Sequence, residues 1–326
     1  MGKLILVVGC GSIGERHIKN LKTLNIDKII AYDTNQERLK VIKELHNIST
    51  SDNLDKSLSQ KPDAALICTP PSTHIPLALR AVENNSNVFI EKPMSHNLEG
   101  IDILKSNATK KNLVVAVGYN FRFQKGMKIV KDRIKEIGKI LSSDATFGQY
   151  LPSWRPWQNY KESYTAKKAL GGGIILDGSH EIDYMRWLLG EVSEVFCMSG
   201  KVSSLEVETE DHAEITLKFK SNAIGRIHLD FYRPGYTRKI EIVGEKGVIS
   251  WNFEEKTVKI FKDNKTELIE TKDDTNEMYL EEMKEFLEAI DGKKKYMINA
   301  DEGKKVLEIA LAAKESSEIN RIVKIG

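Results

Sequence analysis

The chain has 326 residues, of which 40% are hydrophobic and 29% charged, proportions that fit a globular protein of more than one domain. Lys and Arg number 49 against 47 Asp and Glu, a formal charge of +2, so a small molecule rather than nucleic acid or an anionic membrane is the expected partner. Three scattered cysteines, Cys10, Cys68 and Cys197, make neither a disulfide framework nor a zinc cluster and suit a reducing cytoplasm, and no run reaches the roughly 18 apolar residues that a membrane helix needs.

In chain order, short apolar strands are predicted at Leu4–Val8, Lys28–Tyr32, Ala64–Cys68, Val88–Ile90 and Leu113–Val117. They alternate with helices near Ile13–Leu24, Gln36–Leu45, Ile75–Glu83 and Leu98–Lys110. Val-, Ile- and Leu-rich strands separated by helices indicate a parallel sheet covered on both faces, which binds ligands beyond the carboxyl ends of its strands. After about residue 122 the pattern changes. Ala213, Ile215, Leu217 and Phe219 alternate with Glu214, Thr216 and Lys218, and similar alternation recurs through Ile227–Phe231, Ile240–Ile242, Ile249–Phe253 and Val258–Ile260. Period two with one polar face reads as a largely antiparallel sheet, with Gly244-Glu245-Lys246-Gly247 as a turn. Two amphipathic helices follow, through Leu280–Ile290 and Val306–Ala313. The expected architecture is an α/β Rossmann-type domain over 1–121 and an α+β domain over 122–326. The helix at about 302–317 is expected to pack back on the first domain.

Gly9-Cys10-Gly11-Ser12-Ile13-Gly14 directly follows an apolar strand and opens a helix. In that context Gly9 permits a tight turn, Gly11 lets backbone approach a pyrophosphate, and Gly14 lets helix and strand pack closely. The anion would sit on the backbone N–H groups of Ser12, Ile13 and Gly14 at the helix N-terminus. Asp33 follows the second strand, nineteen positions after Gly14. A carboxylate there accepts hydrogen bonds from ribose hydroxyls and repels a 2′-phosphate, so NAD is expected over NADP; Asp33 as a helix N-cap is the competing use.

Thr69-Pro70-Pro71-Ser72-Thr73-His74, Glu91-Lys92-Pro93, Gly118-Tyr119-Asn120-Phe121-Arg122 and the run from Gly171 through Asp183 complete the pattern. Together with the glycine loop they make the chain resemble the Gfo/Idh/MocA oxidoreductases, the glucose–fructose oxidoreductase and inositol dehydrogenase family. The resemblance implies an open-faced second-domain sheet and a homodimer or homotetramer built through it. It also implies a sugar, sugar acid, cyclitol or nucleotide sugar as substrate. Lys92 matches the lysine of the family's EKP motif, and Asp177 and His180 match the acidic and histidine positions after the glycine triplet. These two are three apart here where four is common in the family, and Glu181 holds the four-residue position. Either His180 or Glu181 is left to face the substrate.

Moving a hydride from a secondary alcohol also requires a base for the hydroxyl proton and a cation for the developing alkoxide. Histidine, with a reference pKa of about 6.5, fits the first need, and Lys92 the second. On one helix from Ile174, the residues Asp177, His180, Glu181 and Tyr184 share an arc facing the cleft while Ile175, Ile182 and Leu189 face the core. Thr69, Pro70, His74, Glu91, Lys92 and Asn120 are further candidates for the cofactor pocket. Tyr119, Arg122, Arg155, Trp157, Asp177 and His180 are candidates for substrate, the aromatic planes covering sugar faces and the arginines holding an anion. No spaced ligand set suggests a metal. NAD-dependent glycoside hydrolysis through transient oxidation and a non-catalytic NAD sensor are the competing functions.

Overall fold

The computed structural model describes residues 2–272 and 274–326. It divides into two compact units, one running through Asn120 and taking in Tyr279–Lys304, the other holding Phe121–Met278 and Lys305–Gly326.

In the first unit β1 (Leu4–Val8), β2 (Lys28–Tyr32), β3 (Ser49–Ser51), β4 (Ala64–Ile67), β5 (Asn87–Glu91) and β6 (Val115–Gly118) form a parallel sheet ordered β3-β2-β1-β4-β5-β6. Its helices are α1 (Ser12–Thr23), α2 (Gln36–His46), α3 (Leu54–Leu58), α4 (His74–Glu83) and α5 (Ile101–Lys110). Ile5–Val8 and Ala64–Ile67 are almost wholly enclosed, as strands covered by helices on both faces must be. The chain builds outward from β1 to β3 and then returns to β4, so the loops leaving β1 and β4 diverge at a switch point, where such sheets take ligands.

The second unit opens with α6 (Lys125–Arg133) and β7 (Ile140–Gly148), then short 3₁₀ turns between Leu151 and Leu170, α7 (Ile174–Asp177) and α8 (Ser179–Leu189). Strands β8 (Val192–Gly200), β9 (His212–Phe219), β10 (Ile224–Asp230), β11 (Thr237–Gly244), β12 (Gly247–Asn252), β13 (Thr257–Lys262) and β14 (Lys265–Glu270) follow. The chain ends with α9 (Glu277–Ile290), α10 (Ala300–Ile319) and β15 (Val323–Lys324). Among the described residues the second sheet has nine strands, ordered β14-β13-β12-β11-β7-β10-β9-β8-β15. Every pairing in it is antiparallel except β7 with β10. The alternation is the expected one. Ala213, Ile215, Leu217, Ile227, Leu229, Ile240, Ile242, Ile249, Trp251, Val258 and Ile260 are buried, while Thr216, Arg226, Lys239 and Lys259 are exposed on the other face.

Two expectations are corrected. The segment that joins the first unit is 279–304, not 302–317. Phe286 of α9 packs edge-on to Phe89 of β5 at 5.5 Å, and Val117 donates its N–H to the Ile298 carbonyl at 2.9 Å. Farther along α10, Ser316 and Ser317 accept the N–H groups of Cys197 and Ser199 on β8 at 3.0 and 2.9 Å, which holds that stretch in the second unit. The single helix from Ile174 is in fact two, broken at Gly178. A Cβ there would lie 2.8 Å from both the Ile174 carbonyl oxygen and a Leu229 methyl.

Candidate active site

The glycine loop of the first unit has the geometry its spacing predicts. Gly9 has φ +91°, donates to the Tyr32 carbonyl at 2.8 Å, and leaves so little room that a Cβ would stand 2.9 Å from the Cys68 carbonyl. A Cβ on Gly14 would lie 1.9 Å from the Gly9 oxygen. At Gly11, by contrast, a Cβ would meet nothing within 4 Å, so the space over the α1 N-terminus is open. No side chain caps α1, and Gly11 and Ser12 are exposed, Ile13 half-buried. Uncapped N–H groups and the helix dipole suit a diphosphate.

Asp33 lies at the end of β2. One oxygen accepts the Cys10 N–H at 2.7 Å and the other the Asn35 N–H at 2.8 Å, which ties the loop to the strand. The N-cap of α2 is Asn35, which accepts the Arg38 N–H at 3.0 Å, so Asp33 keeps lone pairs for a ribose. Arg38 places Nε on the Cys10 carbonyl and its guanidinium on Glu15, both at 2.5 Å. Burial alone would raise the Glu15 carboxyl, but the bonds from Lys19 and Arg38 outweigh it and pull it to about 2. The Arg38 charge is thus matched in place and is not available to a 2′-phosphate. These residues fit NAD.

At the other strand ends the candidates divide. Thr69 and Pro70 are half-buried at the end of β4. His74 is 1% exposed and sets Nε2 against the Thr69 carbonyl at 2.7 Å and Nδ1 against the Pro93 carbonyl at 3.0 Å. Burial pushes its pKa below the usual histidine value. It braces the segments that follow β4 and β5. Lys92 is half-buried, with a cis bond to Pro93. Glu91 is turned inward to His17 at 2.6 Å. Asn120 and Tyr119 are buried beyond β6; Tyr119, expected at the substrate, is fully enclosed.

In the second unit Asp177 ends α7, and His180 lies in the first turn of α8. Tyr164 donates its hydroxyl to Asp177 Oδ1 at 2.7 Å. Burial of that hydroxyl and then the Asp177 charge push its pKa well above the usual tyrosine value. The His180 ring meets the Phe121 ring edge-on at 4.9 Å, with only 6% of the residue exposed. Glu181 is fully buried and accepts Arg238 Nε at 2.8 Å and the Tyr184 hydroxyl at 3.2 Å. The Arg238 guanidinium lies over the Phe147 and Phe121 rings at 4.0 and 4.4 Å. Although burial opposes it, the Glu181 carboxylate holds Arg238 firmly protonated, above its usual pKa. Glu181 is therefore committed to Arg238 and Tyr184 inside the unit.

The predicted polar arc is corrected in the same way. All of Ser179–Arg186 is buried, and Asp177, Glu181 and Tyr184 hydrogen-bond to protein groups, Asp177 to Tyr164 and Glu181 to Tyr184 and Arg238. Arg122, expected to hold substrate, forks onto Asp183 at 3.0 and 2.7 Å, with side chains 2% and 1% exposed. Arg155 is half-buried and close enough to Tyr164 for its charge to favour the phenolate. Trp157 is 76% exposed, whereas Trp154 anchors the loop, donating to the Gln149 carbonyl at 3.3 Å and packing on Phe231 at 5.4 Å. Sequence reasoning gave no role to His17 or Arg238, whose partners lie 74 and 57 residues away. Tyr164 lies thirteen positions before Asp177 and no local spacing links the two. Among the described residues there is no group of three or more His, Cys, Asp or Glu that could hold a metal, and no helix is long and apolar enough to cross a membrane.

Comparison with known proteins bears on the family and the fold. Residues 3–119 match the model of the oxidoreductase family with an NAD-binding Rossmann fold, and residues 127–250 match the GFO/IDH/MocA C-terminal domain. Myo-inositol 2-dehydrogenase of Thermotoga maritima is 31% identical over 344 aligned positions, covering 98% of this chain and 97% of the relative. scyllo-Inositol 2-dehydrogenase (NAD(+)) of Bacillus subtilis is 30% identical, covering 74% of this chain and 72% of the relative. A solved levoglucosan dehydrogenase in complex with NADH and levoglucosan shares the fold at a TM-score of 0.90, with 20% identity and all of both chains covered. Both halves match the family's models, and a relative at 31% identity spans nearly the whole length: the chain belongs to the GFO/IDH/MocA family of NAD-binding oxidoreductases.

Proposed function

We propose that the chain oxidises a secondary hydroxyl of a sugar, sugar acid, cyclitol or nucleotide sugar with NAD, or reduces the corresponding ketone. The observation that carries this reading is the position of Lys92 at the carboxyl end of β5, on the sheet edge where the glycine loop leaves β1. The names of the inositol dehydrogenases and of levoglucosan dehydrogenase support a polyhydroxylated ring as substrate. Bound NAD supplies the hydride acceptor. His180 takes the hydroxyl proton, Asp177 orients the imidazole or the substrate with Tyr164 holding its carboxylate in place, and Lys92 steadies the alkoxide. Thr69, Pro70 and Asn120 border the nicotinamide side of the cofactor, and Arg155 and Trp157 border the substrate.

Lys92→Ala and His180→Ala are expected to keep NAD affinity, read by fluorescence quenching, and to lose about 10²–10⁴ in turnover. Wild-type turnover in both would remove this mechanism. We also propose a homodimer or homotetramer joined through the outer face of the nine-stranded sheet, where Phe196, Met198, Ile224, Phe261 and Leu268 are exposed. A cytoplasmic setting is supported by the free thiols of Cys10, Cys68 and Cys197, all three buried.

A further inference from the structure

Glu91, the last residue of β5, is only 8% exposed although it stands at a strand end where solvent is near. Oε1 lies 2.6 Å from His17 Nε2, and Oε2 accepts the N–H of Lys92 at 3.2 Å. His17 is fully enclosed, its ring edge-on to Phe89 at 5.3 Å and Tyr279 at 6.5 Å. In register opposite Glu91 stands Gly118 of β6. A Cβ there would come 2.9 Å from the Phe89 ring and 3.5 Å from the Glu91 carboxyl carbon. Desolvating a carboxylate is costly, and an apolar side chain would fill this space without that cost. His17 also belongs to α1, the helix whose N-terminus is shaped for the cofactor diphosphate. One helix therefore carries the anion site at its start and, farther along, the group that grips Glu91. From the other side His74 holds the Pro93 carbonyl at 3.0 Å.

We propose that Glu91 and His17 are positioning residues for Lys92. The His17–Glu91 pair fixes the Lys92 peptide relative to α1, through the Glu91 Oε2 that accepts the Lys92 N–H. This rests on the reading that Lys92 serves hydride transfer, and the experiment separates the two. In Glu91→Gln and His17→Gln, assayed with myo-inositol and NAD, kcat should fall by about tenfold to a hundredfold, the scale set by small misplacements at a reacting centre. KM and NAD affinity should change less than about threefold, because uniform binding is untouched. Combining Glu91→Gln with Lys92→Ala should cost no more than Lys92→Ala alone, since residues acting through one another are not additive.

A second readout needs no turnover: the rate of Lys92 labelling by trinitrobenzenesulfonate in the cofactor-free protein, read by peptide mass spectrometry. In Glu91→Gln the labelling of Lys92 should change relative to that of the other lysines, because the tie from His17 through Glu91 to its peptide is weakened. A variant that only loosens the fold would raise labelling at several lysines together, and that outcome would overturn the positioning role. His17→Gln leaves Glu91 in place should Glu91→Gln not fold. If Lys92→Ala lost turnover while both variants kept wild-type kcat and wild-type Lys92 labelling, the positioning role would be overturned on its own. Full turnover in Lys92→Ala would instead overturn the reading beneath it.

Discussion

At the scale of single residues, the glycine loop separates stability from binding. Alanine at Gly14 would place a Cβ 1.9 Å from the Gly9 oxygen. Backbone cannot give way as a flexible side chain can, so α1 must move off β1, at a cost of about 1–3 kcal/mol or more. Alanine at Gly11 meets no protein atom within 4 Å and the backbone there has φ −64°, so the fold should tolerate it. The added methyl enters the space where a diphosphate would lie. Gly14→Ala should therefore lower the melting temperature and weaken NAD together, whereas Gly11→Ala should weaken NAD, by about tenfold or more, at an unchanged melting temperature. Calorimetric titration beside a thermal melt reads both. The loop was legible because its constraints are local: three glycines, one strand and one helix within a short stretch. Arg122 and Glu181 misled because each is paired with a residue 61 or 57 positions away, and nothing in the local pattern marks a charge as already matched.

The second sheet was legible as an element wherever its inner face is apolar at every other position. β3 is Ser-Thr-Ser and carries no hydrophobic signal, and β7 begins Ile-Leu-Ser-Ser-Asp, which breaks the alternation; neither was anticipated. The helix break at Gly178 was missed because helical spacing from Ile174 to Leu189 is formally continuous. On the outer face His228 of β10 lies between two carboxylates, Glu214 at 2.6 Å and Asp230 at 2.9 Å, with Arg233 on the Asp230 side at 3.0 Å and the His212 ring edge-on to it at 5.4 Å. The Asp230 bond first, and Glu214 with it, raise the His228 pKa above the usual value against a smaller effect of burial. A histidine raised by folding stabilises fully below its unfolded pKa of about 6.5 and loses that contribution as pH rises through the higher folded value. Unfolding free energy from urea titrations should accordingly decline over that window in the wild type. His228→Gln should flatten the decline; an identical slope in the variant would place its origin elsewhere.

At the scale of the whole molecule, the return of 279–304 to the first unit was not readable from periodicity. Amphipathic spacing shows that a helix buries one face without saying against which unit. The same spacing is silent on assembly, which the exposed Phe196, Met198 and Phe261 suggest through the sheet. Met198→Glu with Phe196→Lys should shift the mass measured by light scattering toward the monomer, because an interface needs upwards of about 1,000 Å² of complementary surface. Wild-type mass unchanged by these substitutions would move the interface off this face. If the proposed function holds, the carbinol carbon of a polyol gives its hydride to NAD bound on the first unit while the hydroxyl gives up its proton. The most direct measurement follows nicotinamide absorbance as the purified protein meets NAD and a panel of inositols, sugars, uronates and nucleotide sugars. NADH is expected to accumulate with at least one of them, in equal amount with a ketone product. NAD binding with neither NADH nor ketone across the panel, and no NADH consumed with the corresponding ketones, would contradict it.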